Sequence, residues 1–257
     1  MHKFRDYQTD SPQEKLYYNM YLNQTVDFVK SQNLKYSKLN NCVMRISDVL
    51  QLMDNFVDSS DPDTSLPNSI HAYQTAETIR KKHPEDKELQ LCGLIHDLGK
   101  ILYTFNEPEW AIVGDTFVVG CKYPKNIVYH DFLKNNPDYT NVKYNSDDGI
   151  YSKKCGIENL LLSFGHDEYL FKVLQNNKHK LSKRYQNIIR FHSFYPWHSN
   201  GEYTRFMCKS DKKILEDVIH FNKFDLYSKK DEFILTDEIK AYYNNLLREY
   251  FPTPLKW

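Results

Sequence analysis

Apolar residues recur at three- and four-residue spacing over much of the chain, and that period predicts helices at 13–32 and 47–58. A stretch rich in Pro, Ser and Asp at 59–68 reads as a turn. Asn68 or Ser69 is placed to cap the next helix, which runs to about Lys82 and must stop near Pro84. Residues 86–103 carry Leu89, Cys92, Leu94, Ile95, Leu98, Ile101 and Leu102, the pattern of a mostly buried helix. Between 108 and 155 the period fades, and only TFVVGC at 116–121 reads as a short strand. Helical period returns at 157–176, at 182–195 with Ser182 as cap and Pro196 as stop, and at 210–224 and 236–250. There is no internal repeat and no long Gly/Ser/Pro linker. The expectation is a mainly α chain, a single compact helical bundle over 1–257 with one short β element near 116–121.

Composition changes this picture in three ways. Mean hydropathy is −0.69, yet 15 Phe, 20 Tyr and 3 Trp supply enough apolar area for a large core and exclude whole-chain disorder. Lys+Arg and Asp+Glu both number 34, so no net charge draws the chain to nucleic acid or to an anionic membrane. No apolar run approaches the roughly 20 residues of a membrane helix, and MHKFRDYQTD lacks the apolar stretch of a secretory signal. A soluble, cytoplasmic protein is expected. The five cysteines (42, 92, 121, 155 and 208) form no Cys-x-x-Cys pair, which favours reduced thiols over disulfides or a thiolate zinc site.

The candidate chemistry lies in polar residues on faces that should be apolar. After Tyr185, Ile188 and Ile189, the next position on that face is His192; after Ile214, Val218 and Phe221 it is Asp225. His96 and Asp97 interrupt the apolar run of 86–103, His166 follows Leu160, Leu161, Leu162 and Phe164, and His71 opens the helix after Asn68. A single buried ionisable group costs several kcal/mol unless it is paired or metal-bound, and a lone core histidine is usually a hydrogen-bonded structural residue. Four imidazoles and two carboxylates converging on one interior are hard to satisfy mutually, whereas divalent cations satisfy them readily. Adjacent residues on a helix diverge by about 100°, so His96 and Asp97 share a site only if both lean into one cavity. The ligand types suit iron, manganese or zinc about equally.

The order His71, His96-Asp97, Asp225 resembles the HD-domain superfamily of metal-dependent helical proteins. The surrounding text is more specific. DPDTSLPNSIHAYQTAETIRKKHP, LCGLIHDLGKIL, EPEWAIVGDTFVVGC, CGIENLLLSFGHDEYL, IIRFHSFYPWH and FNKFDLYSK resemble the myo-inositol oxygenase family, as do FRDY at 4–7, QTVDFV at 24–29 and the Trp257 ending. The resemblance implies a metal core at about 68–228, an N-terminal cover at 1–40 and a C-terminal helix and tail at 236–257. It implies two iron ions, mixed-valent Fe(II)/Fe(III) when active, which convert myo-inositol and O2 to D-glucuronate and water by hydrogen abstraction at C1 and ring cleavage. One iron takes His71, His96, Asp97 and Asp225; the other takes Asp97 as a bridge with His166 and His192. A monomer is implied, with no nucleic-acid or membrane partner.

By the same resemblance, Lys100 sits beside the metal-bound alkoxide and helps a hydroxyl lose its proton, although by residue type alone it is an ordinary solvent lysine closing a helix. Asp58, Ser60, Gly114, Asp115, Ser193 and Lys229 match positions that hold inositol hydroxyls or close the pocket, and Arg5 matches a residue that covers the substrate. Asp167 reads as an outer or surface group, and His198 as a spare ligand stranded in a turn after Pro196. His2, His83, His130, His179 and His220 read as non-ligands. Two other readings stay open: an HD-domain metal-dependent phosphohydrolase, which calls for a cluster of cations around phosphate, and a non-catalytic scaffold, which would have lost a ligand.

Overall fold

A computed structural model describes residues 10–56, 58–60, 67–226 and 233–257. The described residues are mainly α, as expected. In chain order the helices are α1 (Pro12–Asn23), α2 (Val26–Lys35), α3 (Ile46–Leu52), α4 (Asn68–Lys82), α5 (Lys87–Ile95), α6 (His166–Gln175), α7 (Lys183–Phe191), α8 (Tyr195–His198), α9 (Asp211–Asp225) and α10 (Asp237–Tyr250). Helix α5 is the centre of the bundle: it packs on α4, α7, α9 and α10, and every residue from Leu89 to Ile95 is buried. Gly93 makes the α4 crossing close, since a Cβ there would lie 2.9 Å from the Ala76 backbone. The strands are β1 (Val43–Met44) and β2 (Leu255–Lys256), paired antiparallel with Val43 opposite Lys256. Trp257 completes that clasp: its ring is fully buried, and its indole N–H donates to the Met44 carbonyl at 3.1 Å. One apolar core includes residues from Leu16 to Trp257, and a second gathers Val118, Phe191, Phe194, Trp197, Phe206 and Val218. No helix among the described residues is long and apolar enough to cross a membrane.

Several predicted elements are corrected. The 13–32 helix is two helices. Gln24 ends α1, its amide still donating to the Met20 carbonyl, and its side chain brackets Phe164, donating to the carbonyl at 2.7 Å and accepting from the amide at 2.9 Å. Thr25 then caps α2 by accepting from the Phe28 amide. The 47–58 helix is α3 followed by a 3-10 turn at Met53–Asn55. Neither Asn68 nor Ser69 caps α4: Pro67 occupies that position, and the Asn68 amide donates to the Phe56 carbonyl instead. The strand expected at 116–121 reduces to one antiparallel bridge, Val118 to Leu162. Helix 157–176 begins only at His166, after a 3-10 turn at Ile157–Asn159. Helix 182–195 ends at Phe191, and Pro196 lies in the first turn of α8 rather than stopping α7. Ser182 stands at the head of α7 without a side-chain cap bond; its hydroxyl turns to Glu88.

The 86–103 segment carries the correction with most consequence. Its α-helical part stops at Ile95, and Leu98–Phe105 is a 3-10 helix. His96 and Asp97 form the joint. In a 3-10 helix residues three apart eclipse, so the change of winding stacks Lys100 over Asp97.

Replacing Trp257 with Ala empties a fully buried site and removes the tie to β1. The expected loss is about 3–5 kcal/mol of unfolding free energy, read by denaturant titration; a loss below about 1 kcal/mol contradicts the clasp.

Candidate metal centre

Each candidate ligand stands at or near a helix end. His166 is the first residue of α6, Asp225 the last of α9, His96 and His192 follow the last residues of α5 and α7, and His71 lies in the first turn of α4. All are buried except His71, which is half-buried. Helix ends let the chain turn away while the side chain stays inside, which is how five segments aim six side chains at one point.

The six fall into two groups that share Asp97. His71, His96 and Asp97 form one, with ligand atoms all within 4.8 Å of one another; Asp97, His166 and His192 form the other, within the same limit. Asp225 belongs with the first: its Oδ1 is 2.9 Å from His71 Nε2 and 3.3 Å from His96 Nε2. The two oxygens of Asp97 face opposite ways. Oδ1 lies 3.2 Å from His166 Nε2 and 3.7 Å from His192 Nε2, while Oδ2 lies 3.5 Å from His96 Nε2. From the joint between the two helical windings, both His96 and Asp97 lean into one cavity, as a shared site requires.

Three of the imidazoles are held by backbone carbonyls. The Nδ1 of His96 is 3.0 Å from the Gly93 carbonyl, that of His192 is 2.7 Å from Ile189, and that of His166 is 2.7 Å from Ile112. A carbonyl can only accept, so each Nδ1 carries the proton and each Nε2 presents a lone pair inward. His166 and His192 approach Nε2 to Nε2 at 3.2 Å, two acceptors facing each other, which one bound cation would satisfy together. This donor set of four imidazole nitrogens and two carboxylates fits a pair of divalent transition metals.

Lys100 is buried, not the solvent lysine its residue type implies. Its Nζ donates to Asp97 Oδ2 and to Asp58 Oδ2, both at 2.8 Å. Burial alone would lower its pKa, but the two carboxylates outweigh that and raise it above the ordinary lysine value, so the side chain stays a cation. Burial likewise pushes Asp97 toward neutrality, and the Lys100 cation beside it reverses this, holding it well below the usual carboxylate range. Asp225 is held low too, against burial, by its hydrogen bond from His71. Gly99 is fixed by sterics: a Cβ there would fall 1.8 Å from the His166 carbonyl oxygen, so only glycine lets the Asp97 joint lie against the start of α6.

Of the other candidates, Asp58 and Ser60 reach the centre through Lys100, with Asp58 Oδ1 accepting from both the amide (2.8 Å) and the hydroxyl (2.5 Å) of Ser60. Gly114 adopts φ of +104° and precedes buried Asp115, whose Oδ1 accepts from the Tyr17 hydroxyl at 2.8 Å. Ser193 is buried and its carbonyl accepts from the Thr116 amide at 2.9 Å. Arg5 and Lys229 lie outside the described residues, as does His2. His198 is not in a turn but in α8; its Nε2 bonds the His192 carbonyl at 3.0 Å, and it stands in neither ligand group.

Of the two places expected for Asp167 the structure gives the outer one rather than the surface: it is buried and accepts from the Thr116 hydroxyl at 2.7 Å. Thr116 thereby ties the Gly114-Asp115 loop to the segments carrying His166 and His192. Arg190 and Glu168, buried together at 2.7 Å, join α7 to α6 close to the same two histidines. Sequence missed that pair because Glu168 in the first turn of α6 and Arg190 in the last turn of α7 read as ordinary helix-end charges.

Comparison with known proteins bears on this centre. A family model described as myo-inositol oxygenase matches residues 11–257. Inositol oxygenase of Danio rerio is 45% identical over 239 residues, spanning 93% of this chain and 86% of its own length. Inositol oxygenase 4 of Arabidopsis thaliana is 44% identical over 263 residues (99% of this chain and 83% of its own), and inositol oxygenase of Dictyostelium discoideum 44% over 262 (99% and 90%).

Because Asp97 belongs to both groups, Asp97→Ala is expected to remove metal from both positions together while leaving helix content unchanged. Metal analysis alongside far-ultraviolet circular dichroism checks this; a variant that keeps half the wild-type metal contradicts the shared carboxylate.

Proposed function

The chain belongs to the myo-inositol oxygenase family, and from that premise we propose that it holds two iron ions and uses O2 to convert myo-inositol to D-glucuronate and water. One O2 enters for each ring opened: one oxygen atom is added to the carbon product and the other leaves in water. The observation that carries this reading is the Asp97 carboxylate between two imidazole groups. Iron rather than manganese or zinc follows from the family.

His71, His96, Asp97 and Asp225 would hold one ion, and Asp97, His166 and His192 the other. Such a pair supplies Lewis acidity toward a hydroxyl and one-electron chemistry toward O2. The remaining steps fall to the chain. Lys100, kept protonated between Asp58 and Asp97, is a fixed positive charge and not a base. It favours the form of the substrate that has lost a hydroxyl proton, because charge developing there meets a cation already in place. Asp58, Ser60, Asp115 and Ser193 offer acceptors and donors suited to a ring of hydroxyls, and Gly114 would present backbone groups beside Asp115. Arg5 and Lys229 would cover the bound substrate. We read residues 1–257 as a single domain, with 68–228 as its metal core; the apolar core that includes both Leu16 and Trp257 supports this.

A phosphohydrolase reading is not favoured. Phosphate needs a cluster of cations, whereas among the described site residues Lys100 stands as a single one beside two carboxylates.

The test is to load the chain with iron and follow O2 uptake on adding myo-inositol under mild reductant. Expected are about two irons per chain and equal consumption of O2 and formation of glucuronate. Iron binding without inositol-dependent uptake, together with turnover of phosphate esters, would overturn the proposal. Lys100→Met is expected to keep its iron and lose on the order of 10²–10³-fold in kcat, the usual consequence of removing a preorganised electrostatic partner; wild-type kcat in that variant would remove Lys100 from the mechanism.

A further inference from the structure

Two histidines read from sequence as unrelated non-ligands meet on the surface. His83 follows the last residue of α4 and His220 lies on α9, and their Nε2 atoms are 3.2 Å apart with the rings at 75°. Both are half-buried. Phe224, one turn beyond His220, stands edge-on to both rings at 5.6 and 5.2 Å and fixes their orientation.

The geometry points to a second, surface metal site: we propose that His83 and His220 bind one divalent transition-metal ion of the zinc type through their Nε2 atoms, with water completing the coordination. Zinc–imidazole bonds are about 2.05 Å long, and two such arms span 3.2 Å at an angle of roughly 100°, close to tetrahedral. The same 3.2 Å separates His166 and His192 at the catalytic centre. Ligand imidazoles must be neutral, and burial and the neighbouring His83 both lower the pKa of His220. Asp217, one turn before His220, is no third ligand; its two oxygens are taken by Arg184 at 2.8 Å each.

The location gives the site a consequence. Helices α4 and α9 also carry His71 and Asp225, 2.9 Å apart in the first ligand group. A metal at His83 and His220 fastens those two helices together at a second point, so it acts as a clamp on the scaffold of the centre without touching the substrate. This inference does not depend on the oxygenase reading.

The test uses untagged, iron-loaded protein titrated with Zn2+ by calorimetry, with iron content and thermal midpoint measured in parallel. Expected is one zinc per chain beyond the retained iron, with a rise in the midpoint. His83→Gln and His220→Gln should each lose at least tenfold in zinc affinity and lose the rise, with iron content and zinc-free activity unchanged; His130→Gln should behave as wild type. Should either variant fold poorly, imidazole nuclear magnetic resonance of the wild type replaces it, with zinc shifting the His83 and His220 rings first. Zinc binding of wild-type strength in both variants, zinc uptake matched by iron loss, or ring shifts elsewhere would each overturn the site.

Discussion

The rest of the structure depends on the carboxylate of Asp97, buried with a full negative charge between two groups of imidazoles. A charge in that position is untenable alone. Lys100 lies 2.8 Å from one oxygen and supplies the compensating charge, while the Nε2 atoms of His96, His166 and His192 stand around the carboxylate where a cation would join them to it. Both His96 and Asp97 stand where the backbone changes from α to 3-10 winding, and in the 3-10 turn Lys100, three residues on, lies directly over Asp97. Gly99 completes the constraint by letting the 3-10 turn lie against the His166 carbonyl.

Burying so many polar groups is possible because the backbone supplies their other partners. Carbonyls at Gly93, Ile112 and Ile189 take the outward protons of three imidazoles, which fixes both the tautomer and the direction of each ring. Around this lies a shell of side chains that hold segments rather than substrate. Gln24 brackets Phe164 before the His166 turn, Thr116 links its loop to Asp167 and Ser193, and Arg190 joins α7 to Glu168 on α6. The centre is therefore positioned from the ends of helices, with the apolar faces left free to pack.

Much of this was legible in the sequence. Polar residues at apolar positions disclosed His192, Asp225, His166 and the His96-Asp97 pair, because the helical period makes any polar intruder visible. The structure brings these side chains together around Asp97. Local hydrogen bonding was not legible. Gln24 breaks a helix because of a partner 140 residues away, and Asn68 gives up capping for the Phe56 carbonyl; period and propensity carry no record of either. The 116–121 strand was misjudged because β-type residues there pair through a single bridge and otherwise fill the core. His83 and His220, separated by 137 residues, could be joined only by the fold.

On the proposed reading, the Asp97 carboxylate is shared by two metals. Anomalous diffraction from crystals of the iron-loaded protein, collected at the iron edge, tests it most directly. The expected result is two iron peaks on opposite sides of Asp97, one against His71, His96 and Asp225 and the other against His166 and His192. A single peak, or two peaks with Asp97 touching only one, would contradict it.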